Sequence, residues 1–279
     1  MERRQTAIAG CTSTGILKIL ALVFMCCDHA GKMIFPNVPE MRMIGRLAFP
    51  LYCWCLVVGF NYTRSVPKYM LRLLLIGLVS QPLYMLALNH PWSHPNIFLT
   101  LLLGLAAMWG IREKRCGSQL WAPALALVLA VCLGCDYGWK GVTLMLLLYA
   151  ARESRGAIAA VMVAFCLYWG SSSTTVSSIF GISLLNALKS PVTGGMLPGF
   201  LRAALSALKD ALYQLVQPFM RLQGMAILAL PLMLIPLPRV KLPRWLGYAL
   251  YPLHLLLLLL AQWIMSPDAM VARFHGYFF

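Results

Sequence analysis

Apolar runs alternate with short polar connections along the whole of this chain. The runs fall at 15–35, 44–62, 69–88, 97–111, 121–135, 141–151, 157–170, 225–237 and 245–265. A helix of about 20 apolar residues spans the hydrocarbon layer and satisfies its own backbone hydrogen bonds. The pattern therefore predicts an all-α fold, a polytopic transmembrane helix bundle of about nine spanning helices. Several runs are short for a crossing and are expected to extend into their flanks. No Ser/Gly/Pro linker separates two composition regimes, so residues 1–279 read as a single transmembrane domain.

Residues 171–221 break the rhythm. They hold a Ser/Thr tract, a Gly/Pro segment around 191–199, and a helix-like run at 200–219. That run places Arg202, Lys209 and Asp210 among apolar residues, an amphipathic pattern. We read this part as an insertion at the outer face, carrying an interfacial helix and adding no crossing.

The basic residues set the orientation. Arg3 and Arg4 precede the first run, and Arg64, Lys68 and Arg72 lie at the second connection. Arg112, Lys114 and Arg115 lie at the fourth, Arg152 and Arg155 at the sixth, and Arg239, Lys241 and Arg244 before the last run. The connections between these, such as 89–96, are almost free of Lys and Arg. By the positive-inside rule the N-terminus is in the cytoplasm and the C-terminus outside. Only 11% of residues are charged and 61% are hydrophobic, where a soluble domain has about 25% charged. A net charge of +15 would point to nucleic acid in a soluble protein. Here topology accounts for it, and no nucleic-acid partner is expected. The first run is long enough to span, so it reads as a retained helix rather than a cleaved signal. The nine cysteines lie mostly inside apolar runs, where Cys behaves as a small hydrophobe. No Cys/His set has zinc spacing, and no metal site is expected.

Against this apolar background the first run carries Asp28, His29 and Lys32 on consecutive turns. An Asp near the bilayer centre costs about 2.5–3.5 kcal/mol on insertion scales. Such groups persist where they pair, face a wet cavity or do chemistry. The topology brings Asp28, His29, Lys32, Arg46, Asp136 and the His90–His94 loop to one depth near the outer face. Asp28 and Lys32 are four apart and can pair. His29 diverges from Asp28 by about 100°, which leaves it for another partner, Asp136 or a substrate. His254 follows Pro252 in the last run, as a bond to the backbone that Pro252 frees or as a second site residue. Each of these also has a structural reading, as hydrogen-bonded packing between helices or, for Arg46, as snorkelling at a helix end.

Several blocks in order resemble the TraX family. They are Leu17-Lys18-Ile19-Leu20-Ala21-Leu22 leading to Asp28-His29-Ala30-Gly31, then Ile44-Gly45-Arg46-Leu47-Ala48-Phe49-Pro50. They continue with Tyr69-Met70-Leu71-Arg72-Leu73-Leu74, Asn96-Ile97-Phe98-Leu99-Thr100-Leu101-Leu102, Asp136-Tyr137-Gly138 and Tyr251-Pro252-Leu253-His254-Leu255. The family takes its name from a conjugation protein needed for N-terminal acetylation of F-type pilin. The resemblance implies an integral acyltransferase of the bacterial cytoplasmic membrane, with acetyl-CoA as donor and pilin or another cell-envelope amine or hydroxyl as acceptor. The matching polar positions are Asp28, His29, Arg46 and Asp136. On this reading His29 takes the acceptor's proton, Asp28 or Asp136 orients the imidazole, and Arg46 or a backbone amide stabilises the oxyanion. Lys32 and His254 are further candidates. Arg64, Lys68, Arg72, Arg112 and Arg115 would meet the phosphates of the acyl-CoA. Direct transfer and a transient acetyl-His are both open. A proton-coupled transporter and a non-catalytic membrane assembly protein are the alternatives.

Overall fold

A computed structural model describes residues 7–176, 183–192, 198–218 and 220–278. Among them there is no strand, only an isolated bridge between Thr175 and Arg221. The helices are α1 (Thr14–Met33), α2 (Pro39–Gly45), α3 (Ala48–Tyr62), α4 (Val66–Leu88), α5 (Ile97–Glu113), α6 (Ser118–Cys132) and α7 (Gly138–Ala151). They continue with α8 (Arg155–Ser171), α9 (Leu184–Lys189), α10 (Gly199–Val216), α11 (Leu230–Leu234), α12 (Arg244–Met265) and α13 (Pro267–Phe278).

Each of the nine apolar runs is helical over most of its length, the run 225–237 as a 3-10 helix (Gly224–Ala229) followed by α11. Five described helical stretches are long and apolar enough to cross a membrane by length and composition: Thr14–Met33, Pro39–Tyr62, Val66–Leu88, Arg115–Cys132 and Leu246–Met265. Gly138–Ala151, Arg155–Ser171 and Gly224–Leu234 are apolar but shorter. The chain is a multi-pass membrane protein. Its apolar outer surface makes the same point. Leu71, Leu74, Leu75 and Leu78 of α4, Leu125, Val128 and Val131 of α6, and Leu256, Leu257 and Leu260 of α12 are all exposed. Apolar area on this scale needs lipid around it.

The axis of the bundle is α3. In its apolar stretch 78% of residues are buried, against 17–33% in the other four long stretches. Its Trp54 is fully buried, and the indole N–H donates to the Cys11 carbonyl at 2.8 Å. Helix starts follow the local sequence. Asn96 accepts from the Phe98 N–H and Ser154 from the Ala157 N–H, as N-capping residues do. Pro39 and Pro67 open α2 and α4, where a missing N–H costs nothing.

The connections sort to two ends. At one end Arg155 donates to the carbonyls of Ala9 and Leu234, and Arg112 donates to that of Phe60. The other end holds Asp28, His90, Asp136 and Ser173. Arg3 and Arg4 lie outside the described residues.

Two features differ from the expectation and one agrees with it. A two-residue turn at Arg46–Leu47, with N–H groups bonded to the carbonyls of Met43 and Ile44, separates α2 from α3, so the run 44–62 is not one continuous α-helix. Helix α13 is additional. Its Arg273 donates to the carbonyls of Leu86 and Ala87 at the end of α4, and Tyr277 to that of His90. The expected insertion does carry a helix, α10, and none of its residues is buried. It packs with α9, where Lys209 donates to the Ser190 carbonyl, and it grows from the end that holds Asp28. Residues 177–182, 193–197 and 219 of that segment lie outside the described residues.

Candidate functional site

Two elements build the centre of the site. The first is the α1–α2 contact. Gly45 lies against Asp28 so closely that a Cβ there would come 2.3 Å from the Asp28 Cβ and 2.7 Å from its Cα. This approach brings Arg42 of α2 and Arg46 of the turn after it onto one carboxylate. Arg42 Nε donates to Asp28 Oδ1 at 2.9 Å, and Arg46 Nη2 donates to the same oxygen. Arg46 Nη1 also reaches Gln223 Oε1 at 3.3 Å. The Asp28 side chain is 11% exposed and that of Arg46 12%.

The second element is the turn between α6 and α7. Gly134, Tyr137 and Gly138 all have positive φ, at 58°, 61° and 49°. A bulky residue is rare in this region. Here Tyr137 is held by stacking flat on Phe49, ring centroids 3.8 Å apart, with Trp169 edge-on to both. The Asp136 N–H donates to the Pro95 carbonyl, and the Thr100 hydroxyl donates to the Asp136 carbonyl. The turn is thereby pinned to the start of α5. Enclosure by protein raises the Asp136 carboxyl above its ordinary value, while the charges of His94 and Arg46 oppose that shift.

Three cavities run in series past these groups. The largest, about 1030 Å³, opens at the basic end and is lined by Lys18, Arg64, Lys68, Arg72 and Lys241 with Tyr62, Tyr69 and Tyr248. The next is a neck of about 20 Å³. It shares Met25, Tyr52, Ile97 and Tyr251 with the large cavity. It shares Asp28, His29, Asp136 and Tyr137 with a third pocket of about 230 Å³ at the opposite end. That pocket is also lined by Lys32, Arg42, Arg46, His90 and Gln223.

Most of the site residues expected from sequence meet here. Asp28, His29, Lys32, Arg46 and Asp136 all line the third pocket, and Arg64, Lys68 and Arg72 all line the large cavity. The details differ. Asp28 pairs with Arg42 and Arg46 rather than with Lys32, because α2 and the turn that follows it deliver two guanidiniums to it. Lys32 instead reaches His90 Nε2 at 3.1 Å. His29 bonds neither Asp28 nor Asp136: its Nδ1 lies 2.9 Å from Nε2 of the buried His254. The Asp136 carboxylate accepts from the Tyr137 N–H of its own turn at 3.0 Å. His254 Nδ1 meets the Leu250 carbonyl at 3.3 Å, not the carbonyl four residues before Pro252. Arg112 and Arg115 do not line the large cavity. The last turn of α5 turns toward α3, and the Arg112 guanidinium sits over the Phe60 ring at 4.1 Å.

Lys18, Lys241, Tyr52, Tyr251 and Gln223 were not singled out from the sequence. Lys18 carried a signal, as a cation one turn into an apolar helix. Gln223 carried none, since its role depends on a residue 177 positions away. Among the described residues no group of three His, Cys, Asp or Glu is placed to hold a metal ion.

A family model described as TraX protein matches residues 13–262. The chain is 32% identical over 167 residues to the probable fimbrial assembly protein FimC, serogroup H1, of Dichelobacter nodosus, covering 54% of this chain and 68% of that protein. It is 31% identical over 99 residues to an uncharacterized protein of Rickettsia prowazekii, covering 36% and 38%. It is 29% identical over 156 residues to Protein TraX of Escherichia coli K12, covering 54% and 61%. The chain thus spans 38%, 61% and 68% of the lengths of these relatives. No solved structure matches it.

Proposed function

The chain belongs to the TraX family, and from that premise we propose that it is a membrane acyltransferase, moving an acetyl group from acetyl-CoA to an amine or hydroxyl acceptor. The observation that carries this reading is the series of basic cavity, neck and polar pocket, with His29 and Asp28 where neck and pocket meet. A soluble enzyme has no need of such a path. A donor held on one side of a membrane and an acceptor on the other do need it.

The basic end would face the cytoplasm by the positive-inside rule, in a bacterial inner membrane with the N-terminus inside. Phosphates of acetyl-CoA would meet Arg64, Lys68, Arg72, Lys18 and Lys241, which suit phosphate as charged donors. The narrow pantetheine arm would run past Tyr52 and Tyr251 and present its thioester at the neck. In the pocket, His29 removes the acceptor's proton as the acceptor attacks the thioester carbon. The C–S bond then breaks, and the leaving thiolate takes the proton from the imidazolium. Cations of the pocket, Arg46 foremost, stabilise the oxyanion. The names of the relatives, fimbrial assembly protein and TraX, favour a pilus subunit or another envelope component as acceptor.

The test uses full-length protein in liposomes, with labelled acetyl-CoA at the basic face and a peptide bearing a free N-terminal amine at the other. Label on the peptide supports the reading. A His29→Ala protein that inserts normally and keeps full turnover removes His29 from it. Mass spectrometry of envelope material with and without the protein, searching for one added acetyl group, identifies the natural acceptor.

A further inference from the structure

The buried pair His29–His254 is a contact between α1 and α12, 225 positions apart in sequence. The two rings are 19° from parallel, with centroids 5.1 Å apart and facing nitrogens 2.9 Å apart. Those three values describe rings lying edge to edge and joined by one N–H···N hydrogen bond. The question is which ring donates.

The far side of His254 answers it. Its Nδ1 lies 3.3 Å from the Leu250 carbonyl. A carbonyl oxygen only accepts, so Nδ1 carries the hydrogen. A neutral imidazole has one N–H, so Nε2 of His254 carries the lone pair and accepts. His29 Nδ1 must then be the donor, and His29 Nε2 is left as the unprotonated nitrogen. It has no hydrogen-bond partner among the described residues. His254 lines none of the three cavities, whereas His29 lines both the neck and the third pocket. The bonded edge of His29 therefore faces away from the pocket, and the Nε2 edge faces it.

We infer that His254 is the positioning residue of the site: it passes the fixed polarity of the Leu250 carbonyl to His29 and so presents His29 Nε2 to the pocket as a base. This deepens the acyltransferase reading and rests on it for the chemistry, though not for the tautomer. The logic is that of an oriented imidazole, in which a third group holds the base in the form that catalysis needs. Here a second histidine takes that place, because Asp28 is already held by Arg42 and Arg46. During transfer, Nε2 takes the acceptor's proton, the resulting imidazolium keeps its Nδ1–H bond to His254, and Nε2 returns the proton to the thiolate. No other proton needs to move.

Nitrogen NMR of full-length protein with ¹⁵N-labelled histidine, its His29 signal assigned by loss in His29→Gln, reads the tautomer directly. The expected result is a protonated Nδ1 and a bare Nε2. A protonated Nε2 on His29 overturns the inference, and so does a fast mixture of the two forms. His254→Gln keeps an acceptor oxygen for His29 Nδ1 and retains the tautomer, whereas His254→Leu loses it. In the transfer assay His254→Leu is expected to lower kcat about 100-fold, the scale of a misplaced general base. KM for acetyl-CoA stays unchanged, and His254→Gln recovers most of the rate. Equal rates for the Leu and Gln variants would reduce His254 to packing. If the wild-type protein transfers no acetyl group, the acyltransferase reading fails while the NMR result still decides the tautomer.

Discussion

Asp28 stands next to His29 in sequence, yet its carboxylate faces Arg42 and Arg46. Neighbouring helical residues diverge by about 100°, so each of the two serves a different partner. Removing the charge takes the carboxylate from the nearly buried Arg46 guanidinium as well as from the part-exposed Arg42. Asp28→Asn is therefore expected to cost about 3 kcal/mol, the scale for breaking a buried ion pair by removing one partner. Thermal unfolding in detergent checks this, and an unchanged midpoint would mean the arginines find other partners. His90 gives a pH-dependent counterpart. Burial and the nearby charge of Lys32 push its imidazole down to about 4 from an ordinary 6.5. Below about pH 6.5 the unfolded chain takes up a proton that the folded protein refuses until about pH 4. Stability therefore falls as pH drops through that window. Melting midpoints measured from pH 7 to pH 4 should fall more steeply for the wild type than for His90→Gln, and parallel curves would count against the shift.

At the level of elements, the contact of α2 with α1 does most to bring the arginines to Asp28, and it depends on Gly45. Any side chain there meets the Cα and Cβ of Asp28, which sit on a helix backbone and cannot swing aside. Gly45→Ala is expected to force α2 away from α1 at a cost of about 1–3 kcal/mol, as overpacking does. Transfer should suffer more than folding, because Arg46 leaves the pocket with the helix. Measured together, turnover and thermal midpoint test this: loss of both in equal proportion would show a general packing defect. The turn that follows Gly45 marks the limit of what the sequence could tell. Hydrophobic runs reveal helices, because every membrane-crossing element must be apolar and self-satisfied. They located α1, α3, α4 and α12 and brought Asp28, Arg46 and Asp136 to one depth. They could not show that 44–62 starts with a break, since Ile44 to Pro50 is apolar apart from Arg46. Nor could they give the partner of His29, because rotation of α12 about its axis decides whether His254 faces α1, and a six-leucine run gives no preferred face. Arg112 failed for a related reason. Position in a basic connection gives the end of the bundle on which a cation lies, but not whether it turns to a cavity or to an aromatic ring such as Phe60.

For the whole molecule, the arrangement of cavities separates binding from transfer. A space of about 1030 Å³ is large enough for a nucleotide and its phosphates, whereas the neck of about 20 Å³ holds little more than a water molecule. A donor anchored by Arg64, Lys68 and Arg72 could therefore place only a thin chain through the neck, and the four residues Met25, Tyr52, Ile97 and Tyr251 decide whether it passes. Met25→Trp fills this constriction from the side of α1, away from the basic mouth. Acetyl-CoA affinity should fall only a few-fold, because Met25 lines the inner end of the large cavity while Arg64, Lys68 and Arg72 at its mouth are untouched. Acetyl transfer should fall by about 100-fold, because a thioester stopped short of His29 cannot reach attack distance. Replacing Arg64, Lys68 and Arg72 together by Gln should do the reverse. Affinity weakens and its dependence on salt flattens, since fewer charges remain to be screened. Turnover at saturating donor persists. Isothermal titration with acetyl-CoA and the liposome assay read the two quantities separately. If both sets of variants changed affinity and turnover in step, donor binding and chemistry would share one chamber, and the neck would have no role as a passage between two sides of the membrane.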